Sequence, residues 1–554
     1  MASLQSSFTV LATTPTTNAR RSHRFNISCS SIDRRNMLLG LGGLYGASSL
    51  VSGQRARAEP IQPPDISKCD TTGTITDGEQ TESLDVNCCP PYTDVKSNYV
   101  LPSFHKLRVR PSANRRNLSH HYIAKYQLAL KKMRDLDVTD PDDPRGFTQQ
   151  ANIHCAYCNG QYDQQDYPGT DLQVHNSWLF FPFHRWYLFF FERILGSLVD
   201  DPTFAIPYWN WDNPRGMYMP DMFTIPGTPA YDANRDQAHL PNAVVDLTLR
   251  STSIYPQQPI RNNLTLMYNE MIGHPASATD FMGKPYRAGD ALPDGPGTSE
   301  GGSHTAVHGW VGDPRNKFGE DMGNFYSAGR DPLFYSHHAN VDRMWALWKD
   351  IPARYSKDIT EDDFLSSAFM FYDENKRLVR VTVADCLDHR KMGYEYEPSE
   401  TPWMNQRPQK RAVPANIRKL AKTAQAPYEA LFPLTLNSTV KVIVAKPSKG
   451  KADDVLVIEG IVTDNTKLIK FDVFVNDEYE MPEEVDRAEY AGAFTQLPHR
   501  VKAKESTRSL RLNLKELYEN INIADDDRVV VTIVPTINGG AVTIGGIKII
   551  PRVD

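Results

Sequence analysis

Apolar positions recur at helical spacing over Ser119–Leu136, Trp178–Val199 and Asp331–Asp350, and at strand spacing in several runs near the end of the chain. Asp331-Pro332 is a helix start, because an Asp side chain accepts from the free N–H groups of a first turn and proline suits the first helical position. Tyr255–Ile260 and Ala288–Gly302 are predicted loops from their Pro and Gly content. The pattern from Glu59 to about Tyr396 is therefore a mainly α domain, a four-helix bundle carrying large loops, whose core can hold a metal between facing helices.

The period then changes. Glu397–Arg411 (EPSETPWMNQRPQKR) is polar and proline-rich, and residues 397–420 are predicted as a linker. Beyond it, Thr439–Ala445, Val455–Val462, Leu468–Val475, Val529–Val534 and Ala541–Ile550 are β-branched runs bounded by Asp, Asn, Gly or Pro. Strands at this spacing predict an antiparallel β-sandwich over residues 421–554.

Charge changes the picture at the N-terminus. The 554 residues carry a net charge of −6, which argues against a nucleic-acid binder, since such a protein usually carries a basic face. Residues 1–58 hold seven arginines and one aspartate, so that total divides into +6 for this stretch and −12 for the rest. Residues 1–36 are rich in Ser, Thr and Arg, as organelle transit peptides are. Arg34-Arg35, the apolar run Met37–Val51 and Ala56-Arg57-Ala58 follow, which predicts a twin-arginine signal with an A-x-A processing site. Together they form an address for the chloroplast and then the thylakoid lumen. The apolar run is too short to span a bilayer, and Trp178–Leu195 is interrupted by His184, Arg185, Glu192 and Arg193. No membrane span is predicted.

The chemistry lies in the histidines. His154, His175 and His184 form one group; His304 and His308, with His337-His338, form another. His304 and His308 stand four apart, on one face of a helix. Two groups of imidazoles among aromatic residues predict two N₃ metal sites. All-imidazole ligation disfavours Mg and Ca and fits Cu, Zn, Fe or Ni. His120-His121 lack such a context and receive no role.

Several long segments carry a resemblance: HCAYC, FPFHRWYLFFFERIL, PYWNWDNP, HTAVHGW, DPLFYSHHANVDRMW and, in the tail, KFDVFVND. Through them the chain from residue 59 resembles, nearly end to end, the plant polyphenol oxidases, the catechol oxidase and tyrosinase group with a binuclear type-3 copper centre. The resemblance implies two copper ions, one on His154, His175 and His184, the other on His304, His308 and His338, with His337 orienting a ligand or packing beside it. It implies a thioether between Cys158 and His175, and disulfides Cys69–Cys89 and Cys88–Cys155; Cys386 has no evident partner, and Cys29 leaves with the leader.

The implied reaction oxidises o-diphenols to o-quinones and reduces O₂ to water, on a small phenolic substrate. Phe325 matches an aromatic gate over the second copper, and Glu300 an acid that holds a water able to help deprotonate a phenol. Thr305 stands where Asn accompanies strong monophenol hydroxylation, and Gly309 leaves the entrance open to bulky phenols. The expectation is diphenol oxidation above tyrosinase-type monophenol hydroxylation. The tail is expected to shield the site until a protease cuts near residues 397–415, with the loop Glu489–Phe494 (EYAGAF) as a candidate for presenting the blocking side chain. A haemocyanin-like O₂ carrier and a flavonoid-directed oxidase are the competing readings. Oligomeric state, physiological substrate and protease have no signature in the sequence.

Overall fold

The computed structural model describes residues 59–554 except 94–95, 117, 251–255, 292, 294, 353–356, 424–430, 448–452, 480, 501–506 and 553–554. The transit and twin-arginine signals, Ala56-Arg57-Ala58 and Cys29 lie outside the described residues.

Helix α1 (His120–Thr139) opens on Ser119, whose Oγ accepts the Tyr122 N–H at 3.1 Å. It buries Tyr126, Ala129, Leu130 and Met133, one stripe of the helix. Helix α2 (Phe147–Cys158) packs on α1. Helix α3 (Phe180–Leu198) packs on α1 and on α5 (Leu333–Asp350), with 16 of its 19 residues buried. A helix apolar on every side is a central element rather than a surface one. Its buried charges are matched: Arg185 Nε donates to Asp342 Oδ1 at 2.5 Å, and Arg110 Nε to Glu192 Oε2 at 2.8 Å. Before α5, Asp331 Oδ1 accepts the Leu333 N–H at 2.7 Å while the same carboxylate pairs with Arg235 at 2.6 Å. The short α4 (Thr305–Val311) completes the helices that matter to the site.

One predicted loop is corrected. Tyr255–Ile260 runs into a helix, Gln257–Tyr268, directly after Pro256; proline favours a helix start as readily as a loop. Ala288–Gly302 ends not in loop but in a widened helical turn, Glu300–His304, that feeds α4.

The tail is rich in antiparallel strands: β1 (Val440–Ala445), β2 (Asp454–Thr463), β3 (Ile469–Val475), β4 (Tyr490–Gln496), β5 (Thr507–Asn513), β6 (Arg528–Ile537), β7 (Val542–Ile544) and β8 (Gly546–Pro551). One sheet runs Leu434–Thr435, β7, β2, β5, with β8 also on β2; the other runs β1, β6, β3, β4. Both sheets feed one aliphatic core, in which Leu456 and Ile458 of β2 meet Val473 of β3 and Val531 of β6. The predicted run Ala541–Ile550 divides at Gly545-Gly546 into β7 and β8. Glu489–Phe494 is corrected from loop to strand: its alternating Tyr490, Gly492 and Phe494 pair with β3, so it cannot serve as a projecting loop.

The predicted linker is anchored at both ends. Trp403 is fully buried and its Nε1 donates to Asp212 Oδ2 at 3.0 Å, which ties this segment to the helical region. Arg407 pairs with Glu516 at 2.9 Å and Arg411 with Glu489 at 3.4 Å, both in the tail. The boundary itself is packed: Phe474, Tyr490, Leu497 and Val534 of the tail belong to the helical region's apolar cluster, and Arg250 pairs with the buried Asp472 at 2.6 Å. At the other end, Cys69 is bonded to Cys89 and Cys88 to Cys155, which fastens the N-terminal segment to α2.

Candidate metal centre

Three imidazoles arrive from different elements: His154 from α2, His184 from the first turn of α3, and His175 from the bend between them. The fold turns each ring the same way. His154 Nδ1 is 3.0 Å from Phe325 O, His184 Nδ1 is 2.8 Å from Phe180 O, and His175 Nδ1 is 3.2 Å from Gln173 Oε1. With Nδ1 bonded to an acceptor, the lone pair of each ring sits on Nε2, and all three Nε2 atoms are buried without a partner. Ring centroids are 5.1–5.6 Å apart.

The second group repeats the arrangement. His304 Nδ1 is 3.2 Å from Glu300 O and His308 Nδ1 is 2.8 Å from Met322 O, leaving His304 Nε2 unpartnered. His308 Nε2 faces His338 Nε2 at 3.2 Å. His184 and His338 stack at 4.2 Å and join the two groups.

His337 lies close enough to be a ligand: one donor atom from each of His304, His308, His337 and His338 falls within 4.8 Å of the others. Its tautomer removes it. Trp211 Nε1 donates to His337 Nδ1 at 3.1 Å, so the neutral ring carries its proton on Nε2 and offers no lone pair there. The ring stacks behind His304 at 5.4 Å.

Burial keeps the cluster neutral. Desolvation, then repulsion between rings, holds His154, His175, His304 and His338 well below the usual imidazole range; burial also lowers His184 to about 3 and His308 to about 4. Unprotonated nitrogens with orphaned lone pairs are what a borderline transition metal requires, so the donor set fits two such ions.

The other predicted positions fall as follows. Cys158 is buried, with its Sγ within 4.8 Å of donor atoms of His154 and His175. Glu300 is buried; desolvation raises its carboxyl well above the usual range, and its Oε1 accepts the Asn176 N–H at 2.6 Å. Thr305 is turned inward, donating from Oγ1 to Glu300 O at 2.6 Å. Phe325 is corrected: its ring stacks on His175 at 4.2 Å, over the first group rather than the second, because its own backbone carbonyl is the acceptor for His154. The face that Gly309 leaves open is filled from outside, since a Cβ there would meet Leu249 at 3.3 Å and Leu468 at 3.4 Å.

Sequence reasoning missed four contributors. Gln173 bonds the His175 N–H and ring, Trp211 sets the His337 tautomer, and from the tail Leu468 lies against Gly309 and His499 against Phe325. His499 lies 5.5 Å from Phe325, whose N–H donates to Pro498 O at 3.2 Å. Gln173 stands two residues before His175, whereas only the fold brings Trp211, Leu468 and His499 to this region.

Three domain patterns match in order: the common central domain of tyrosinase over residues 144–351, the polyphenol oxidase middle domain over 358–409, and the chloroplastic polyphenol oxidase C-terminal domain over 432–551. Polyphenol oxidase II, chloroplastic, of Ipomoea batatas is 46% identical over 558 residues, covering 96% of this chain and 93% of its own. Catechol oxidase B, chloroplastic, of Solanum tuberosum is 44% identical over 566 residues, covering 96% and 93%. The structure of latent apple tyrosinase superposes with a TM-score of 0.76 at 44% identity, over 82% of this chain and 99% of that one. The histidine clusters fit the binuclear copper site that such a family implies, and the chain belongs to the plant polyphenol oxidase family.

Proposed function

We propose that this protein is a copper-dependent oxidase of o-diphenols, latent while its tail covers the site. One observation carries the reading: buried imidazoles in two adjacent groups, with Nδ1 of His154, His175, His184, His304 and His308 held by protein acceptors and Nε2 of the first four left without a partner. His154, His175 and His184 would hold one copper and His304, His308 and His338 the other. When bound, the metal pair supplies the redox chemistry, carrying two electrons from each diphenol to O₂. Two diphenols lose four electrons and four protons in all, and one O₂ becomes two waters.

The protein's share is orientation and exclusion of water. Phe325, flat on His175, offers a face for a phenol ring; Glu300, the first residue of the turn that carries His304, is held by the Asn176 N–H. A Cys158–His175 thioether would fix the one ligand that comes from a bend rather than a helix. We read the helical region as a four-helix bundle and the tail as a β-sandwich, with a leader over 1–58, a catalytic domain over 59–396, a linker over 397–420 and a cover over 421–554. The chloroplastic relatives and the leader composition support the chloroplast, and the twin-arginine pattern the thylakoid lumen. An activating protease would cut the linker.

The copper-loaded full-length chain, assayed on dopamine and tyramine before and after linker cleavage with copper counted, tests this. Two coppers per chain, dopamine faster than tyramine, and a rise on cleavage are expected. Leu468→Ala or His499→Ala should raise turnover of the uncut chain several-fold and leave the cut enzyme unchanged. Equal turnover before and after cleavage would remove the covering role.

A further inference from the structure

A fourth imidazole stands beside the second group. His337 adjoins His338 on α5, is fully buried, and has a donor atom within 4.8 Å of those of His304, His308 and His338. Left to itself, a ring so placed becomes a ligand. Zinc proteins show the cost: sites with four protein ligands are structural, whereas catalytic sites keep a position for the reactant. A second metal held by His304, His308, His337 and His338 together would have no room for O₂ or phenol. One hydrogen bond blocks His337 at both nitrogens. Trp211 Nε1 donates to His337 Nδ1 at 3.1 Å and occupies that lone pair. Indole nitrogen donates and never accepts, so the bond has a single direction. The neutral ring then carries its proton on Nε2, and this N–H finds no acceptor among the described residues. His337 thus holds a tautomer that only Trp211 favours.

The contrast with the ring's neighbours is sharp. His154, His175, His184, His304 and His308 each meet an acceptor at Nδ1 and keep the lone pair of Nε2; His337 meets a donor. The donor is also fastened to the helix it acts on. Before Trp211, the Trp209 N–H donates to the carbonyl of Ser336, the residue preceding His337, at 2.9 Å. After it, Asp212 accepts from Asn340 at 3.2 Å and Arg343 at 3.0 Å, both on α5. Trp211 itself is fully buried. Indole and imidazole therefore move together, and the block cannot open without unfastening the segment from α5.

We infer that Trp211 is a positioning residue that keeps His337 off the second metal, so that three imidazoles and an open position remain there. The inference rests on the copper reading above. Trp211→Phe removes the N–H, keeps an aromatic ring, and frees a lone pair on His337. The test uses the copper-loaded chain with its linker cut. Azide needs an open position on copper and reports it by charge-transfer absorption; copper is counted and challenged with a chelator. Trp211→Phe is expected to keep both coppers, to release them no faster, and to lose azide affinity and diphenol turnover ~10–100-fold. The loss requires His337: added to His337→Ala, Trp211→Phe should change azide affinity by less than ~2-fold. A loss of the same size in the His337→Ala background, or one accompanied by faster copper release, shows an indole that only packs and overturns the inference. Should Trp211→Phe not fold, His337→Met sets beside the group a thioether that no bond from Trp211 holds in a non-ligating tautomer. Copper kept with azide binding lost then upholds the inference, and azide binding as in the unsubstituted chain overturns it. An unsubstituted chain that takes up no copper counts against the oxidase reading, not against the tautomer held by Trp211.

Discussion

The helical region and the tail bury their apolar residues in different currencies of shape. Around the histidines the core is aromatic: Trp178, Phe180, Phe183, Tyr187 and Phe334 are fully buried, and Phe334 and Phe180 lie 4.2 and 4.7 Å from His338 and His184. Behind them sits a buried polar layer in which Asp342 accepts from Arg185 and from the Tyr394 and Tyr396 hydroxyls. The tail's core is mostly Val, Ile and Leu drawn from two sheets. Planar rings and directional bonds fix imidazoles at set angles, whereas aliphatic packing fixes only a shape. The first region must hold atoms in position; the second needs only to sit over them.

That contrast can be broken by experiment. The largest effect is expected from His338→Ala: one copper lost and diphenol turnover down at least ~100-fold in the cut enzyme, checked by metal analysis and oxygen uptake. Asp342→Asn leaves two buried guanidinium groups undercompensated and should lower stability by about 3–5 kcal/mol, read from denaturant unfolding. In the tail, Leu456→Ala should cost about 2–5 kcal/mol of stability yet leave turnover of the cut enzyme unchanged. A fall in that turnover would show the tail to be more than a cover. The smallest effect is at Asp143. Burial opposes its charge, but bonds from Arg145 and Lys376 outweigh it and bring its carboxyl down to about 2. The stability it contributes is present above about pH 4 and is lost as pH falls toward 2. Asp143→Asn should flatten that part of an acid unfolding curve.

The same contrast explains what could be foreseen. The helices were legible because Ser119 and Asp331 cap them and apolar residues recur at helical spacing, and the second histidine group because His304 and His308 stand four apart along the turn into α4 and His337-His338 lie together on α5. Strands β1, β2, β3 and β6 announce themselves through runs of Val and Ile. Strands β4 (YAGAFTQ) and β5 (TRSLRLN) do not: one is weakened by Ala and Gly, the other half exposed and polar, and each is strand only because a neighbour pairs with it. The orientation of the rings was equally hidden. It depends on carbonyls of Phe325 and Met322 and on Trp211, which reach the histidines through space, and on Gln173, which turns back onto the ring two residues after it.

The clamped linker has a further consequence. Trp403 holds one end to the helical region and Arg407 the other to the tail, so a cut among the residues between them severs a tether without removing a single interface contact. An intramolecular partner at an effective concentration of order millimolar becomes an ordinary bimolecular one. The cut protein should then be governed by dilution: re-covered when concentrated, uncovered when dispersed, its activity per molecule rising as its own concentration falls.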